Sequence, residues 1–151
     1  MRRLSAGFLV LGLLAAVMCA PNATAAPSKC FGKKINRVVS GKNKTVRLSY
    51  KDVPWISGKN IKVIAKPNST ICAGDGRQVI FAGKGNSKTD AGPGNDKIVT
   101  GKGTALAYGG TGDDEILLND RSVNTEAYGG LGNDRIIGSR GHDKLFGSPP
   151  D

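Results

Sequence analysis

Three aspartates, Asp96, Asp114 and Asp134, stand at intervals of 18 and 20 residues, each preceded by the same pair of glycines: Gly92 and Gly94, Gly110 and Gly112, Gly130 and Gly132. A fourth, Asp143, has a similar setting near the end of the chain. Carboxylates are hard oxygen donors, and a glycine-rich turn leaves its carbonyls open to the same use, so this pattern can surround a hard cation with oxygen. Other chemistries have less to work with. His142 is the single histidine of the chain; it cannot build a multi-histidine metal site, no paired serine or cysteine nucleophile accompanies it, and it reads as a solvated turn residue. No catalytic constellation is present, and no enzyme is expected.

The aspartates belong to a period. From Ala73 to Leu117 the chain reads AGDGRQVIF, AGKGNSKTD, AGPGNDKIV, TGKGTALAY and GGTGDDEIL, with glycine at the second and fourth place of every block. An eleven-residue segment, LNDRSVNTEAY (118–128), is followed by GGLGNDRII and GSRGHDKLF. This run, Ala73 to Phe146, resembles the haemolysin-type (RTX) calcium-binding repeat, G-G-x-G-x-D-x-U-x with U a large apolar residue, of the kind found in small secreted bacterial proteins.

The resemblance implies an all-β fold, a parallel β-roll or β-helix solenoid of nonapeptide repeats. Six glycine-rich residues make a turn, three make a short strand, and two units complete a coil. The eighth place should then point inward. It holds Ile80, Ile98, Ile116 and Ile136 in odd units and Thr89, Ala107, Ala127 and Leu145 in even ones, a large column facing a mostly small one, as a thin core requires.

Because turns alternate between two edges, the resemblance places calcium between units i and i+2, with the sixth-place aspartates as ligands. On the odd edge that place holds Gln78, Asp96, Asp114 and Asp134; on the even edge Ser87, Ala105, an unassigned residue of the long segment, and Asp143. Two sites are expected, Asp96 with Asp114 and Asp114 with Asp134, completed by Gly92, Gly94, Gly110, Gly112, Gly130 and Gly132. A third, between Gln78 and Asp96, lacks a carboxylate and should be weak, and Asp143 has the poorest setting of the four aspartates. The expected cofactor is Ca2+. At the fifth place, Asn86, Asn95, Asp113 and Asn133 tolerate left-handed geometry and are expected to shape turns rather than ligate.

The even edge carries Lys84, Lys102 and Arg140 at the third place, with Lys88 and Lys144 nearby. The whole chain has a formal charge of +10, unusual for an aspartate-bearing repeat. The alternative reading is therefore a basic cell-surface module that binds a polyanionic surface polymer and uses calcium only structurally. Stacking aromatics are sparse, so specific nucleic-acid recognition is not expected. Place nine forms an apolar column, Phe81, Val99, Leu117 and Ile137, with Tyr108, Tyr128 and Phe146 in even units. It is expected to pack on the chain's own head segment or on its neighbours, self-association being the other use of such a stripe.

Residues 1–25 read as a secretory signal: Arg2 and Arg3, an apolar run from Phe8 to Met18, and Ala23-Thr24-Ala25 before cleavage. The run is shorter than the roughly 20 residues a bilayer needs, so the mature form is not expected to span a membrane. Export would leave Cys30 and Cys72 in an oxidising, extracellular setting, where they are expected to pair. Residues 26–72 are expected to form an N-terminal β cap, with strands at 35–39, 45–50 and 61–65 and Ile71 in the inward phase. Residues 73–146 form the repeats, and the proline-bearing tail 147–151 ends the stack. The expected whole is a secreted, non-enzymatic, calcium-binding β-roll.

Overall fold

Triplets with one inward aliphatic side chain, separated by turns that only glycine can pack closely, wind the chain into a parallel β-solenoid. The computed structural model describes residues 29–148; the expected signal segment 1–25 and its cleavage point lie outside the described residues. β1 (Lys29–Cys30) and β2 (Lys33–Lys34) form a short antiparallel hairpin. The remaining strands are β3 (Arg37–Arg47), β4 (Pro54–Ile64), β5 (Thr70–Ala73), β6 (Gln78–Phe81), β7 (Ser87–Asp90), β8 (Lys97–Val99), β9 (Ala105–Thr111), β10 (Glu115–Leu117), β11 (Thr125–Leu131), β12 (Arg135–Ile137) and β13 (Asp143–Phe146). They share one continuous parallel ladder. The described residues contain no helix.

β3 and β4 explain how one ladder becomes two faces. Each is 11 residues long and bends through a turn: Gly41 and Asn43 in β3, Gly58 and Asn60 in β4, all with positive φ. The first half of β4 pairs with β5 and the second half with β6. From there one face continues through β7, β9, β11 and β13, the other through β8, β10 and β12. The head thus extends the stack. Its expected strands at 35–39 and 45–50 fuse into β3, and Pro54-Trp55-Ile56 adds a strand segment that the alternation of the sequence did not reveal.

The inward columns stack as the repeat requires. Val46, Val63, Ile80, Ile98, Ile116 and Ile136 follow one another in register. Opposite them run Ile71, Thr89, Ala107, Ala127 and Leu145. All are buried except the last of each, Ile136 being half-buried and Leu145 43% exposed where the stack ends. Burial of each large aliphatic contributes about 1.5–3 kcal/mol. The long segment 118–128 keeps phase by placing its two extra residues in the turn. There Ser122 N donates to Asn119 O at 2.7 Å and Asn124 takes a left-handed φ of 51°, so that Ala127 still sits on Ala107.

Outward, Tyr108, Tyr128 and Phe146 stack with ring centroids 4.8 and 4.7 Å apart, and Phe31 of the hairpin closes the row 6.0 Å from Tyr108. This part of the ninth-place stripe is therefore covered by the chain's own head and by its neighbours. Cys30 and Cys72 form a disulfide across 42 residues, fixing the hairpin beside β5. A loop of that length corresponds to about 4 kcal/mol on the chain-entropy scale. Cys30→Ser combined with Cys72→Ser is expected to lower the unfolding free energy by roughly that amount in a urea titration; a loss under about 1 kcal/mol would show that the bridge contributes little beyond local tethering.

Candidate metal centre

The sixth place of each unit starts a strand just after a turn, so its side chain lies under the turn while its backbone N–H faces the next coil. On the odd edge the register aligns Lys44, Ile61, Gln78, Asp96, Asp114 and Asp134 in successive coils. The aspartates are linked in one direction. Gln78 N donates to Asp96 Oδ1 at 2.6 Å, Asp96 N to Asp114 Oδ1 at 2.7 Å, and Asp114 N to Asp134 Oδ1 at 3.0 Å. One oxygen of each carboxylate is thus committed to holding the preceding coil.

The other oxygen is not. Asp96 Oδ2 and Asp114 Oδ2 are buried and have no hydrogen-bond partner. Burial, opposed by the N–H of Gln78 and reinforced by the charge of Asp114, pushes Asp96 up from 3.8 to about 7. Asp114 rises to about 6, again through burial, opposed by the Asp96 N–H and reinforced by Asp134 and Asp113. Asp96 and Asp114 are thus buried, repelled by neighbouring carboxylates and left with an unpartnered oxygen each, and the Arg77 charge that acts on Asp96 offsets less than Asp114 adds. Among the described residues no group of three or more His, Cys, Asp or Glu side chains converges, so an ion here would be held by pairs of carboxylates and by turn carbonyls. An all-oxygen set of this kind suits Ca2+ and gives no soft ligand to a transition metal.

Glycine keeps the turns close enough for this. Gly112 and Gly132 have φ of +124° and +134°, and a Cβ on them would lie 2.2 Å from Gly94 O and 2.1 Å from Gly112 O. The carbonyls of Gly94 and Gly112 therefore occupy the space that any other residue would need. Gly92 O accepts from Thr111 N at 3.3 Å. The fifth place forms its own ladder, Asp113 N donating to Asn95 Oδ1 and Asn133 N to Asp113 Oδ1 at 3.2 and 2.9 Å. Among non-glycine residues left-handed geometry falls on Phe31, Asn43, Asn60 and Asn68 of the head and on Asn124, but not on Asn86, Asn95, Asp113 or Asn133. Apart from Asn124, glycine takes those angles in the repeat turns.

Where the aspartates stop, another donor takes over, which the sequence pattern alone did not bring out. Gln78 is fully buried, and its Nε2 donates to Gly58 O at 3.0 Å and to Asp75 O at 3.3 Å. Its amide hydrogens thus serve turn carbonyls in place of a cation. Further up the column Lys44 Nζ donates to Ser40 O. On the even edge Ser69 Oγ donates to Lys66 O, and Ser87 Oγ to Gly83 O at 2.7 Å. The unassigned sixth-place residue of the long segment is Thr125, paired in register with Asp143. Asp143 stands apart from the other three: its Oδ2 accepts from Ser139 N and Oγ, both at 2.7 Å, within its own turn, while Oδ1 is buried without a partner.

A parallel β-solenoid with aligned turn carboxylates on one edge defines a β-roll. The family model for the RTX calcium-binding nonapeptide repeat (4 copies) matches residues 73–106, 90–120 and 126–149, and the chain is an RTX-type repeat protein. Calcium is the ion such repeats bind. No curated protein and no solved structure matches the chain.

Two outcomes follow from this geometry. Gln78→Asp restores a carboxylate to the odd edge and removes the amide plug; it should raise the calcium stoichiometry by one in calorimetry while lowering the melting temperature in chelator. An unchanged stoichiometry would show that the amide is not standing in for an ion. The second concerns pH. With folded values near 7 and 6 against an ordinary 3.8, Asp96 and Asp114 hold protons in the ion-free fold that the unfolded chain has already released. Stability in chelator should therefore fall as pH rises from about 4 to 7. A thermal melt series in chelator that instead gains stability across this range would contradict the buried, uncompensated arrangement.

Proposed function

We propose that this protein is a secreted, non-enzymatic calcium-binding β-roll whose ions sit on one edge, between the turn ending at Asp96 and that ending at Asp114, and between the latter and the turn ending at Asp134. The observation that carries the reading is the split role of the carboxylates: Oδ1 holds the preceding coil, while Oδ2 of Asp96 and of Asp114 is buried with nothing to bind. Gly92, Gly94, Gly110, Gly112, Gly130 and Gly132 would add turn carbonyls. Asp143, already satisfied in part by Ser139, contributes least. Secretion is supported by the signal-like residues 1–25, by the disulfide, and by the prevalence of such repeats in exported bacterial proteins; no helix among the described residues is long and apolar enough to cross a membrane.

Calorimetric titration of single variants tests the placement. Asp114→Ala should weaken both sites, Asp96→Ala and Asp134→Ala should each spare one, and Asp143→Ala should change the isotherm least. Equal losses at all four positions would overturn the one-edge arrangement. Calcium at about 100 times its dissociation constant should add about 2.7 kcal/mol per site to folding, read as a melting temperature that chelator lowers.

A further inference from the structure

The edge opposite the aspartates carries a groove of about 450 Å³ framed by Tyr50, Lys66, Lys84 and Lys102, with Asn119 at one end. Lys84 and Lys102 hold the same place in successive coils, 18 residues apart; in the coil before them Pro67 takes that place and Lys66 stands one residue earlier, its carbonyl 1.8 Å from where a Cβ on Gly83 would lie. Backbone bonds Asn68 N to Lys84 O at 2.8 Å and Gly85 N to Lys102 O at 2.7 Å stack their turns, and Gly103 N to Arg121 O at 3.4 Å sets Arg121 next in the row. The row thus advances by one positive charge per coil, about 4.8 Å. All four basic side chains are exposed, and none takes part in an ion pair among the described residues. Arg140 in the following coil is tied to Asp120 at 3.4 Å, so the free positive row ends there.

Asp120 beside Arg121 is occupied by Arg140, and no carboxylate pairs with the three lysines. The sixth-place residues under the three lysine turns are Ser69, Ser87 and Ala105, and both serines close their own turns by hydrogen bonds. These turns need no ion, and they bring no carboxylate to neutralise the lysines. Tyr50, 74% exposed, lies beside the row with Lys66 Nζ 5.6 Å from its ring centroid. An exposed aromatic face next to a row of ammonium groups, one from each coil, suits a polymer whose apolar ring faces alternate with negative groups.

We propose that this groove binds a linear acidic polysaccharide, with its carboxylate or sulfate groups on Lys66, Lys84, Lys102 and Arg121 and a sugar face on Tyr50. The rise per coil is comparable with the length of one residue in an extended pyranose chain, so one charged sugar per coil keeps the two in step. Single-stranded nucleic acid fits less well, because it needs a succession of aromatic faces for its bases. The groove offers one; the rings of Tyr108, Tyr128 and Phe146 are stacked on each other instead.

The test is calorimetry of the calcium-loaded protein with chondroitin sulfate oligosaccharides, which carry about one charge per sugar, against neutral dextran oligosaccharides and single-stranded DNA of equal charge. Chondroitin sulfate should bind, dextran should not, and affinity should fall as salt shortens the Debye length. At about fivefold per lysine, K66A/K84A/K102A should lose roughly a hundredfold. The control K29A/K33A/K34A removes the same charge from the hairpin and should lose less than about threefold. Melting in calcium identifies any variant that fails to fold, and Lys84→Glu alone then supplies the comparison. Tighter binding of DNA, equal binding of dextran, or an equal loss in the hairpin control would each overturn the proposal.

Discussion

Successive coils of this protein are separated by one strand spacing, about 4.8 Å, so every group in a turn lies almost in contact with its counterparts above and below. For the fourth place of a repeat that distance rules out a Cβ: on Gly112 it would fall 2.2 Å from Gly94 O. For the sixth place it means that a side chain must satisfy the N–H of one coil while tolerating copies of itself. Two ionised carboxylates about 5 Å apart repel by roughly 3 kcal/mol at an effective dielectric near 20, a cost that burial increases. The odd edge meets this constraint differently along its length. Ile61 avoids it with an apolar side chain, Lys44 and Gln78 bring hydrogen-bond donors to turn carbonyls, and Asp96 and Asp114 leave one buried oxygen each unpartnered, beside Asp134 in the same column.

How far the sequence discloses this depends on whether a residue's role is periodic. The Gly-x-Gly spacing and the eighth-place column repeat every 18 residues from Ile80 to Ile116 and resume at Ile136 after one 20-residue step, and both the roll and its inward face could be read from them. The division into a carboxylate edge and a basic edge followed from counting odd and even units. The head resisted because its coils are 17 residues long rather than 18, and because their second turns, 48–53 and 65–70, contain no glycine. Pro54 and Trp55 do not alternate as a strand should, yet Pro54 is buried and Trp55 lies against Gly74, where a Cβ would be 2.4 Å from its Cζ2. Gln78 was legible as a missing aspartate; that its amide reaches Gly58 O and Asp75 O depends on a rotamer, which no spacing encodes.

The two edges have opposite electrostatic characters for the same structural reason. A turn of this geometry presents carbonyls, and something positive or hydrogen-donating must face them. On the odd edge of the later coils that requirement points to an external cation, and the edge therefore keeps its acids. Ser69 and Ser87 meet it internally on the even edge, which frees the outer side chains from any charge balance with an ion. Lys66, Lys84 and Lys102 can then line up without a compensating column, and the basic excess of the chain becomes a surface feature rather than a contradiction of its acidic repeat.

In a solenoid each coil touches only its neighbours, so stability is close to a sum over coils and interfaces. That sum is uneven here. The early coils hold Leu48, Ile56, Val63 and Ile71 in their interior, close their turns with Lys44, Gln78, Ser69 and Ser87, and are tied to the hairpin through Cys72. The later coils narrow to Ala107 and Ala127 on one face, end on a half-buried Ile136 and an exposed Leu145, and contain the uncompensated aspartates. Loss of counter-charge would therefore act on the coils with the least apolar burial to offset it, while the early coils close their turn carbonyls with their own donors, although Gln78 Oε1 is buried without a partner. On the proposed placement of calcium, the dependence on an ion would be confined to the C-terminal half, while the N-terminal half offers the sheet edge of β5 and β6 to which the repeats are paired.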